Sequence, residues 1–278
     1  MTLRERVRRW RLYYRSGRLF QEMLAEPGLA YRLPWMAAGR AVEVQFRSGR
    51  TFRMPAGRWP LLPTACRLER IGADFEFLDD AKRVRIDGLT LYSPLWTRDE
   101  AAYYREVFLD DVYGIKDRDL SGGVVVDVGA YVGDSAIAFA RRGARVHAFE
   151  PSSTFCGFVR RNLAENGLAH RVTLHEVGLA EREEVIESGH DRLRFVEGIA
   201  YALANLPARI EILKLDCEGA EYYLLSDPRF LGHLAPRQIR MEYHRGFEGV
   251  RARLERAGYK ITLLRPGEPV GLLSAVQP

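Results

Sequence analysis

The stretch that most constrains the fold is an apolar run that ends in an acid and a turn containing two glycines. It reads Val124-Val-Val-Asp-Val-Gly-Ala-Tyr-Val-Gly-Asp-Ser135. A continuous apolar run bounded by turn residues predicts a fully buried parallel strand, here residues 124–128. Gly129 and Gly133 predict a turn in which the backbone passes close to a ligand. Asp134 and Ser135 then begin a helix whose first N–H groups lack partners within the helix.

A second buried strand, Arg145-Val-His-Ala-Phe-Glu-Pro151, carries the next acid. Glu150 follows Gly129 by 21 residues, which is where a doubly wound fold places a carboxylate against the two hydroxyls of a ribose. The dinucleotide fingerprint G-x-G-x-x-G is missing, because Ala130 and Tyr131 follow the first glycine. A D-x-G-x-x-x-G turn, an acid ending the next strand and no phosphate-binding lysine favour S-adenosylmethionine as the nucleoside cofactor.

Strands and helices alternate from Gly122 onward, as a parallel α/β sheet requires. The predicted strands are 124–128, 145–150, 171–177, 209–216, 238–242, 259–264 and 270–276. The last two are joined by only five residues, Arg265–Pro269, too few for a crossover helix, so this pair is antiparallel. The pattern predicts a doubly wound, mostly parallel seven-stranded sheet, Rossmann-like and laid out as in class I methyltransferases.

Residues 40–95 have a different pattern, with short alternating segments around the tight turns Ser48-Gly49 and Asp87-Gly88. These turns predict hairpins, and Pro55, Pro60 and Pro63 interrupt the region. We therefore expect residues 1–98 to form a basic N-terminal helix and a small β-rich cap. Residues 99–278 form the S-adenosylmethionine-binding domain, which a helix over 99–113 introduces.

Most of the net charge of +5 lies in the first 26 residues, which carry seven arginines against three glutamates. Leu3, Val7, Trp10 and Tyr14 recur there at helical spacing. The favoured interpretation is a helix that packs on its own domain or on a second subunit. The alternative is a basic amphipathic helix resting on an anionic membrane surface or on RNA.

Composition predicts a cytoplasmic protein, with peripheral membrane contact through the N-terminal helix as the alternative. Cys66, Cys156 and Cys217 have unrelated spacings, which favours neither a disulfide framework nor a zinc site. No run approaches the roughly 18 apolar residues of a membrane span. Three asparagines and four glutamines in 278 residues indicate a thermophilic source, and the oligomeric state stays open.

The chain resembles the FkbM-type S-adenosylmethionine-dependent methyltransferases over about residues 110–250. The resemblance rests on Val126-Asp-Val-Gly-Ala-Tyr-Val-Gly-Asp-Ser135, Ala148-Phe-Glu-Pro151, Leu213-Lys-Leu-Asp-Cys-Glu-Gly-Ala-Glu221 and Met241-Glu-Tyr-His244. It implies O-methylation of a sugar, a glycolipid or another small-molecule hydroxyl. Tyr131 stands where the family usually has Asn, and Glu176 stands where Asn is common after the third strand.

The motifs and the resemblance together assign one set of residues to the cofactor. These residues are Asp127, Gly129, Ala130, Gly133, Ser135, Glu150, Pro151, Glu176 and Asp216.

The acceptor side of the site is predicted from sheet geometry. The strands ending at Asp216 and Glu242 should be neighbours, so both acids reach the same edge, with His244 just beyond. Methyl transfer to oxygen needs a base, and His244 is predicted to be that base, because the unperturbed pKa of histidine is about 6.5. Glu242 or Asp216 would orient it. The alternative is that Asp216, Glu242 and His244 bind Mg²⁺ or a similar hard cation that polarises the hydroxyl.

Neighbouring residues receive structural interpretations. Glu218 and Glu221 are read as first-turn carboxylates favoured by the helix dipole, an interpretation preferred for Glu221. Lys214 either neutralises Asp216 or acts in catalysis, and His147 is read as a hydrogen-bonded core residue.

We expect a small-molecule or glycan acceptor. RNA methylation is the first alternative, suggested by the basic N-terminal segment. It is disfavoured because the chain has no Asn-Pro-Pro-Tyr-like block and no paired catalytic cysteines. A non-catalytic nucleotide-binding protein is the second alternative, and the intact set of acids and glycines argues against it.

Overall fold

The structure is a computed structural model that describes residues 13–188 and 191–278. The chain divides into two compact units between Arg105 and Glu106, whereas the sequence predicts a domain boundary between residues 98 and 99. The predicted basic helix has Leu3, Val7 and Trp10 on its apolar stripe, and these positions lie outside the described residues.

The first unit contains two antiparallel sheets. β1 (Ala41–Gln45) pairs with β2 (Thr51–Pro55), and β3 (Asp74–Phe77), β4 (Ala81–Ile86) and β5 (Leu89–Pro94) form a meander. Asp87 and Gly88 both have positive φ, of 50° and 75°, as a two-residue type I′ turn requires. Both predicted hairpins are therefore present.

Short helices complete this unit, and the sequence pattern did not indicate most of them. They are α1 (Gly17–Met23), α2 (Pro27–Arg32), α3 (Leu62–Arg70) and α4 (Glu100–Tyr104). A π-helical turn, Arg105–Leu109, follows α4 in place of the continuous helix predicted over 99–113. Pro63 was expected to interrupt the chain. Instead it lies in the first turn of α3, where its missing N–H leaves no helical hydrogen bond unmade.

The second unit is built on a seven-stranded sheet. The strands of this unit are β6 (Val124–Val128), β7 (Arg145–Phe149), β8 (Val172–His175), β9 (Gly178–Ala180), β10 (Glu184–Ser188), β11 (Asp191–Glu197), β12 (Ile212–Leu215), β13 (Gln238–Tyr243), β14 (Lys260–Arg265) and β15 (Gly271–Val276). The order in the seven-stranded sheet is β14-β15-β13-β12-β6-β7-β8. β13, β12, β6, β7 and β8 are parallel to one another. β15 pairs antiparallel with both β13 and β14, so the predicted fold class is confirmed.

Helices cover both faces of this sheet. They are α5 (Asp134–Arg141), α6 (Ser153–Glu165), α7 (Gly198–Asn205), α8 (Glu221–Leu224), α9 (Pro228–Leu234) and α10 (Glu248–Arg256). α6 begins as predicted, because the Ser152 side chain accepts a hydrogen bond from the N–H of Phe155. Val126, Leu213 and Ile239 of the central strands are fully buried in one core cluster, as two-sided burial of a parallel sheet requires.

The sequence did not predict a small sheet inserted after β8, with the order β10-β11-β9. Asp191, at the start of β11, accepts hydrogen bonds from the hydroxyls of Ser152 (2.6 Å) and Ser153 (3.0 Å). The N–H of Arg194 donates to the carbonyl of Pro151 over 3.1 Å. The inserted sheet therefore fixes the loop that follows Glu150.

Among the described residues, no helix is long and apolar enough to cross a membrane.

Candidate active site

Glu150 ties the end of β7 to the turn that follows β6. Its Oε2 accepts a hydrogen bond from the N–H of Tyr131, and its Oε1 accepts one from the N–H of Ser152, each over 2.9 Å. The side chain is buried, and burial raises the pKa of Glu150 to about 7 against the opposing effect of these two donors. A carboxylate oxygen has two lone pairs, so each oxygen can accept one further hydrogen bond. Two neighbouring hydroxyl groups, as on a ribose, match that capacity.

Both glycines of the turn have a positive φ, which favours glycine, and protein atoms lie close to each of them. Gly129 has φ of 88°, and a Cβ there would overlap the backbone carbonyl of Asp216. Gly133 has φ of 89° and precedes α5, and a Cβ there would lie 3.3 Å from the side chain of Val159 on α6. The sequence pattern predicts that a ligand approaches both glycines closely. The structure shows protein atoms beside both.

Asp127 and Ser135 stabilise this turn from inside the domain. The buried Asp127 Oδ2 accepts a hydrogen bond from the Ser135 hydroxyl over 2.6 Å, and Oδ1 lies 3.0 Å from Lys214 Nζ. Lys214 and Asp127 are direct neighbours across β12 and β6, and Lys214 also donates to the carbonyl of Gly129. Burial lowers the pKa of Lys214, but the surrounding charges, of which Asp127 contributes most, together outweigh burial and raise it overall. Lys214 thus forms an ion pair with Asp127, whereas the sequence pattern predicts that it either neutralises Asp216 or acts in catalysis.

The remaining residues assigned to the cofactor differ in position. Ala130 is buried beside Glu150, and its N–H donates to the carbonyl of Phe149 over 2.9 Å. Pro151 follows Glu150 directly. Glu176 is exposed, and its carboxylate pairs with Arg160 of α6. The structure therefore gathers Ala130, Glu150 and Pro151 at the turn and leaves Glu176 in a surface ion pair.

The carboxyl ends of β12 and β13 bring three acids to one imidazole. His244 Nε2 lies 3.5 Å from Glu242, 3.7 Å from Asp216 and 3.9 Å from Glu218. Arg265, from the end of β14, pairs with the other oxygen of Glu242 over 2.7 Å. The predicted meeting of Asp216, Glu242 and His244 is present, and one ligand atom from each lies within 4.8 Å of the others.

Glu221 holds the other side of the same imidazole. Its Oε1 accepts hydrogen bonds from His244 Nδ1 (3.0 Å) and from the His244 N–H (3.1 Å), and its Oε2 accepts one from the N–H of Gly219 (2.9 Å). The side chain is fully buried. Burial raises the pKa of Glu221, but the bond to His244 and the backbone donors lower it overall. The helix-dipole interpretation of Glu221 missed this contact, because only the fold brings these two residues together.

These contacts set the charge of His244. Hydrogen bonds to Glu221 and Glu242 raise the pKa of His244 to about 10, against the effect of burial. The imidazole therefore carries protons on both nitrogens at neutral pH. A protonated imidazole cannot accept the proton of a hydroxyl, so the base role predicted from the ordinary pKa of histidine requires the deprotonated form of His244.

The pKa values of Asp216 and Glu242, the two acids nearest to His244 Nε2, are shifted in opposite directions. Burial raises the pKa of Asp216, although 42% of its side chain remains exposed. The hydrogen bond to His244 lowers the pKa of Glu242, and the charge of Arg265 lowers it further. Asp216 is therefore the acid of this pair whose basicity the site increases.

The comparisons with known proteins found one matching family model and a set of similar solved structures. Residues 127–261 match the family model described as the methyltransferase FkbM domain, in agreement with the predicted resemblance. No curated protein matches the chain.

Three solved structures illustrate the structural similarity. Trm5b from Pyrococcus abyssi is 13% identical with a TM-score of 0.43, and the alignment covers 74% of this chain and 63% of that one. A transferase-like protein from Pyrococcus horikoshii is 13% identical with a TM-score of 0.47, covering 96% and 97%. Methyltransferase FkbM from Methylobacillus flagellatus KT is 15% identical with a TM-score of 0.46, covering 94% and 59%. The chain thus spans less than two thirds of the length of the first and the third of these proteins.

Proposed function

We propose that the protein, whose residues 127–261 form an FkbM methyltransferase domain, is an S-adenosylmethionine-dependent O-methyltransferase. Its acceptor would be a sugar, a glycolipid or another small molecule with a free hydroxyl. The observation that carries this proposal is the group of carboxylates around His244, at the same sheet edge as Glu150.

The residues present suit the cofactor. Glu150 retains acceptor capacity on both oxygens after its two backbone bonds, so it can hold the two ribose hydroxyls. Asp216 lies at the end of β12, which pairs with β6, so it can face the remainder of the nucleoside. When bound, S-adenosylmethionine supplies a methyl group on a sulfonium, and one proton must leave the acceptor hydroxyl.

Asp216 is the group proposed to take that proton. Its raised pKa makes it a better proton acceptor than an ordinary aspartate. His244 and Glu242 lie beside it, and we assign them to holding the acceptor oxygen, with the Nε2 proton of His244 as donor. A further positive charge in the cluster would lower the pKa of His244, and Nε2 could then accept the proton instead.

In the second version of this proposal, the site binds a divalent cation. Asp216, Glu242 and His244 offer two carboxylates and one imidazole within 4.8 Å, a donor set that suits Mg²⁺ or Mn²⁺. A bound cation would replace the Nε2 proton and polarise the acceptor hydroxyl. Loss of turnover in EDTA, restored by Mg²⁺ or Mn²⁺, would select this version. Turnover that is unaffected by EDTA would select the version without a metal.

The test is conversion of S-adenosylmethionine to S-adenosylhomocysteine in the presence of sugars, glycolipids or transfer RNA. Asp216→Asn should lower turnover by roughly 10²–10⁴, the range for a lost acid–base group. Glu242→Gln should also lower turnover, because Glu242 helps to hold the acceptor oxygen. S-adenosylhomocysteine affinity in Glu242→Gln should stay within a few-fold of the parent. Glu248→Gln, an exposed change on α10, is the control and should retain full turnover. Transfer to RNA alone, or full activity in both site variants, would overturn the proposal.

A further inference from the structure

A cavity of about 520 Å³ opens at the amino-terminal edge of the sheet, where β6, β7 and β8 begin. This edge is opposite to the one that carries the candidate active site. We call this cavity the basic cavity. Its polar lining residues are Arg145, His147, His170, Arg171, Thr173 and Asn205. The volume lies in the range of small-molecule sites in proteins.

The alternation of side chains along the strands builds this cavity. Arg145 and His147 lie on one face of β7, whereas Val146 and Ala148 are buried on the other. Thr173 of β8 is the direct partner of His147 across the two strands. A parallel strand covered on both faces normally carries apolar residues at such positions. The polar residues therefore mark a part of this face that α7, which ends at Asn205, leaves open.

The charge of the basic cavity is positive. Arg145 and Arg171 bring two guanidinium groups, and no acid belongs to the cavity lining. Among residues 13–188 and 191–278, no carboxylate lies within salt-bridge distance of either arginine. The carbonyl end of α7 contributes only about half a negative charge. An anion is thus the complementary ligand.

His147 lies at the end of a hydrogen-bonded chain that can orient its remaining proton towards the cavity. His147 Nδ1 lies 3.0 Å from His175 Nε2, and His175 Nδ1 lies 3.1 Å from the hydroxyl of Tyr201 on α7. The His175 ring also stacks on Phe149 at 4.3 Å. Burial lowers the pKa of both histidines, that of His175 to about 4, so both rings are neutral at pH 7. When Tyr201 donates to His175 and His175 donates to His147, the remaining proton of His147 is on Nε2, where a ligand can accept it.

We propose that the basic cavity binds the phosphate group of a small phosphorylated molecule, at a site separate from methyl transfer. A phosphate presents several acceptor oxygens to the guanidinium groups of Arg145 and Arg171, the hydroxyl of Thr173 and Nε2 of His147. Guanidinium groups bind phosphate through paired, charge-assisted hydrogen bonds. The absence of acids from the lining removes the repulsion that would otherwise oppose such a ligand.

The test is calorimetric titration of the full chain with inorganic pyrophosphate at low ionic strength. Arg145→Glu should weaken binding by about 10- to 100-fold, the factor for the loss of a hydrogen bond between charged groups. Thr173→Val removes one hydroxyl donor with little change of shape and should weaken binding a few-fold. Thermal unfolding midpoints equal to that of the parent would show that both variants fold.

The matched control is Arg237→Glu, which changes the charge equally just before β13, at the same edge of the sheet and outside the cavity lining. Arg237 lies 3.7 Å from Glu211. Pyrophosphate binding should be nearly unchanged in this variant. Absence of binding to the parent protein would overturn the proposal. Equal losses in Arg145→Glu and Arg237→Glu would do the same, because they would indicate general attraction to a basic surface.

Discussion

Replacing Glu221 with Gln should lower the pKa of His244 without moving the imidazole. The amide oxygen of Gln can still accept the Nδ1 proton, but the negative charge is lost. A hydrogen bond between charged groups contributes about 1.5–3 kcal/mol, and one pH unit corresponds to about 1.36 kcal/mol. The pKa of His244, about 10 in the parent, should therefore fall by about 1–2 pH units.

The assay is an NMR titration of the imidazole signals, with His244→Gln used to assign the resonance among six histidines. The control is Glu218→Gln, in the same cluster. The Glu218 oxygen lies 3.9 Å from Nε2 and its side chain is 91% exposed, so water screens its charge and the pKa should hardly change. A parent His244 that titrates near its ordinary value would refute the reasoning, and so would equal shifts in the two variants.

The same pKa shift predicts how stability depends on pH. The folded-state pKa of His244 is raised above the unfolded value. Its stabilising contribution is therefore complete below about pH 6.5 and is lost as the pH rises towards 10. The difference in unfolding free energy between the parent and His244→Gln should shrink over that interval in urea denaturation.

Three further predictions concern the turn after β6. Because the pKa of Glu150 is raised to about 7, calorimetric affinity for S-adenosylhomocysteine should fall as the pH drops through 7, and Glu150→Gln should remove this dependence. Lys214→Met leaves Asp127 buried without a counter-ion, so it should lower the unfolding free energy by about 3–5 kcal/mol; adding Asp127→Asn should restore part of the loss, and no recovery would contradict the pairing. Gly129→Ala should destabilise by more than about 1 kcal/mol, because the site needs positive φ and has no space beside Asp216; an unchanged melting temperature would contradict that account.

The large sheet could be predicted because its strands have strong local signals. Residues 124–128 and 212–215 are mostly apolar segments, with Asp127 inside the first and Asp216 directly after the second, and Arg265–Pro269 is too short for a crossover. The inserted sheet had no such signal. β10 has no buried face, since all five residues Glu184–Ser188 are exposed, so neither alternation nor an apolar run marked it.

The sequence predicts which residues of the site meet, but it does not predict their charges. Asp216, Glu242 and His244 were placed together by sheet geometry alone. The charge of His244 depends on Glu221, which is 23 residues away in the sequence and contacts it only in the fold. The ion pair between Lys214 and Asp127 was not predicted for a similar reason, because Asp127 lies on a neighbouring strand.

The most direct test of the central claim is mass spectrometry of the acceptor after incubation with isotopically labelled S-adenosylmethionine. The label should appear as a methyl ether on a hydroxyl of a sugar, a glycolipid or another small molecule. Asp216→Asn should lose most of this product. Label found only on an RNA base or on a nitrogen atom would contradict the account, as would full labelling by Asp216→Asn.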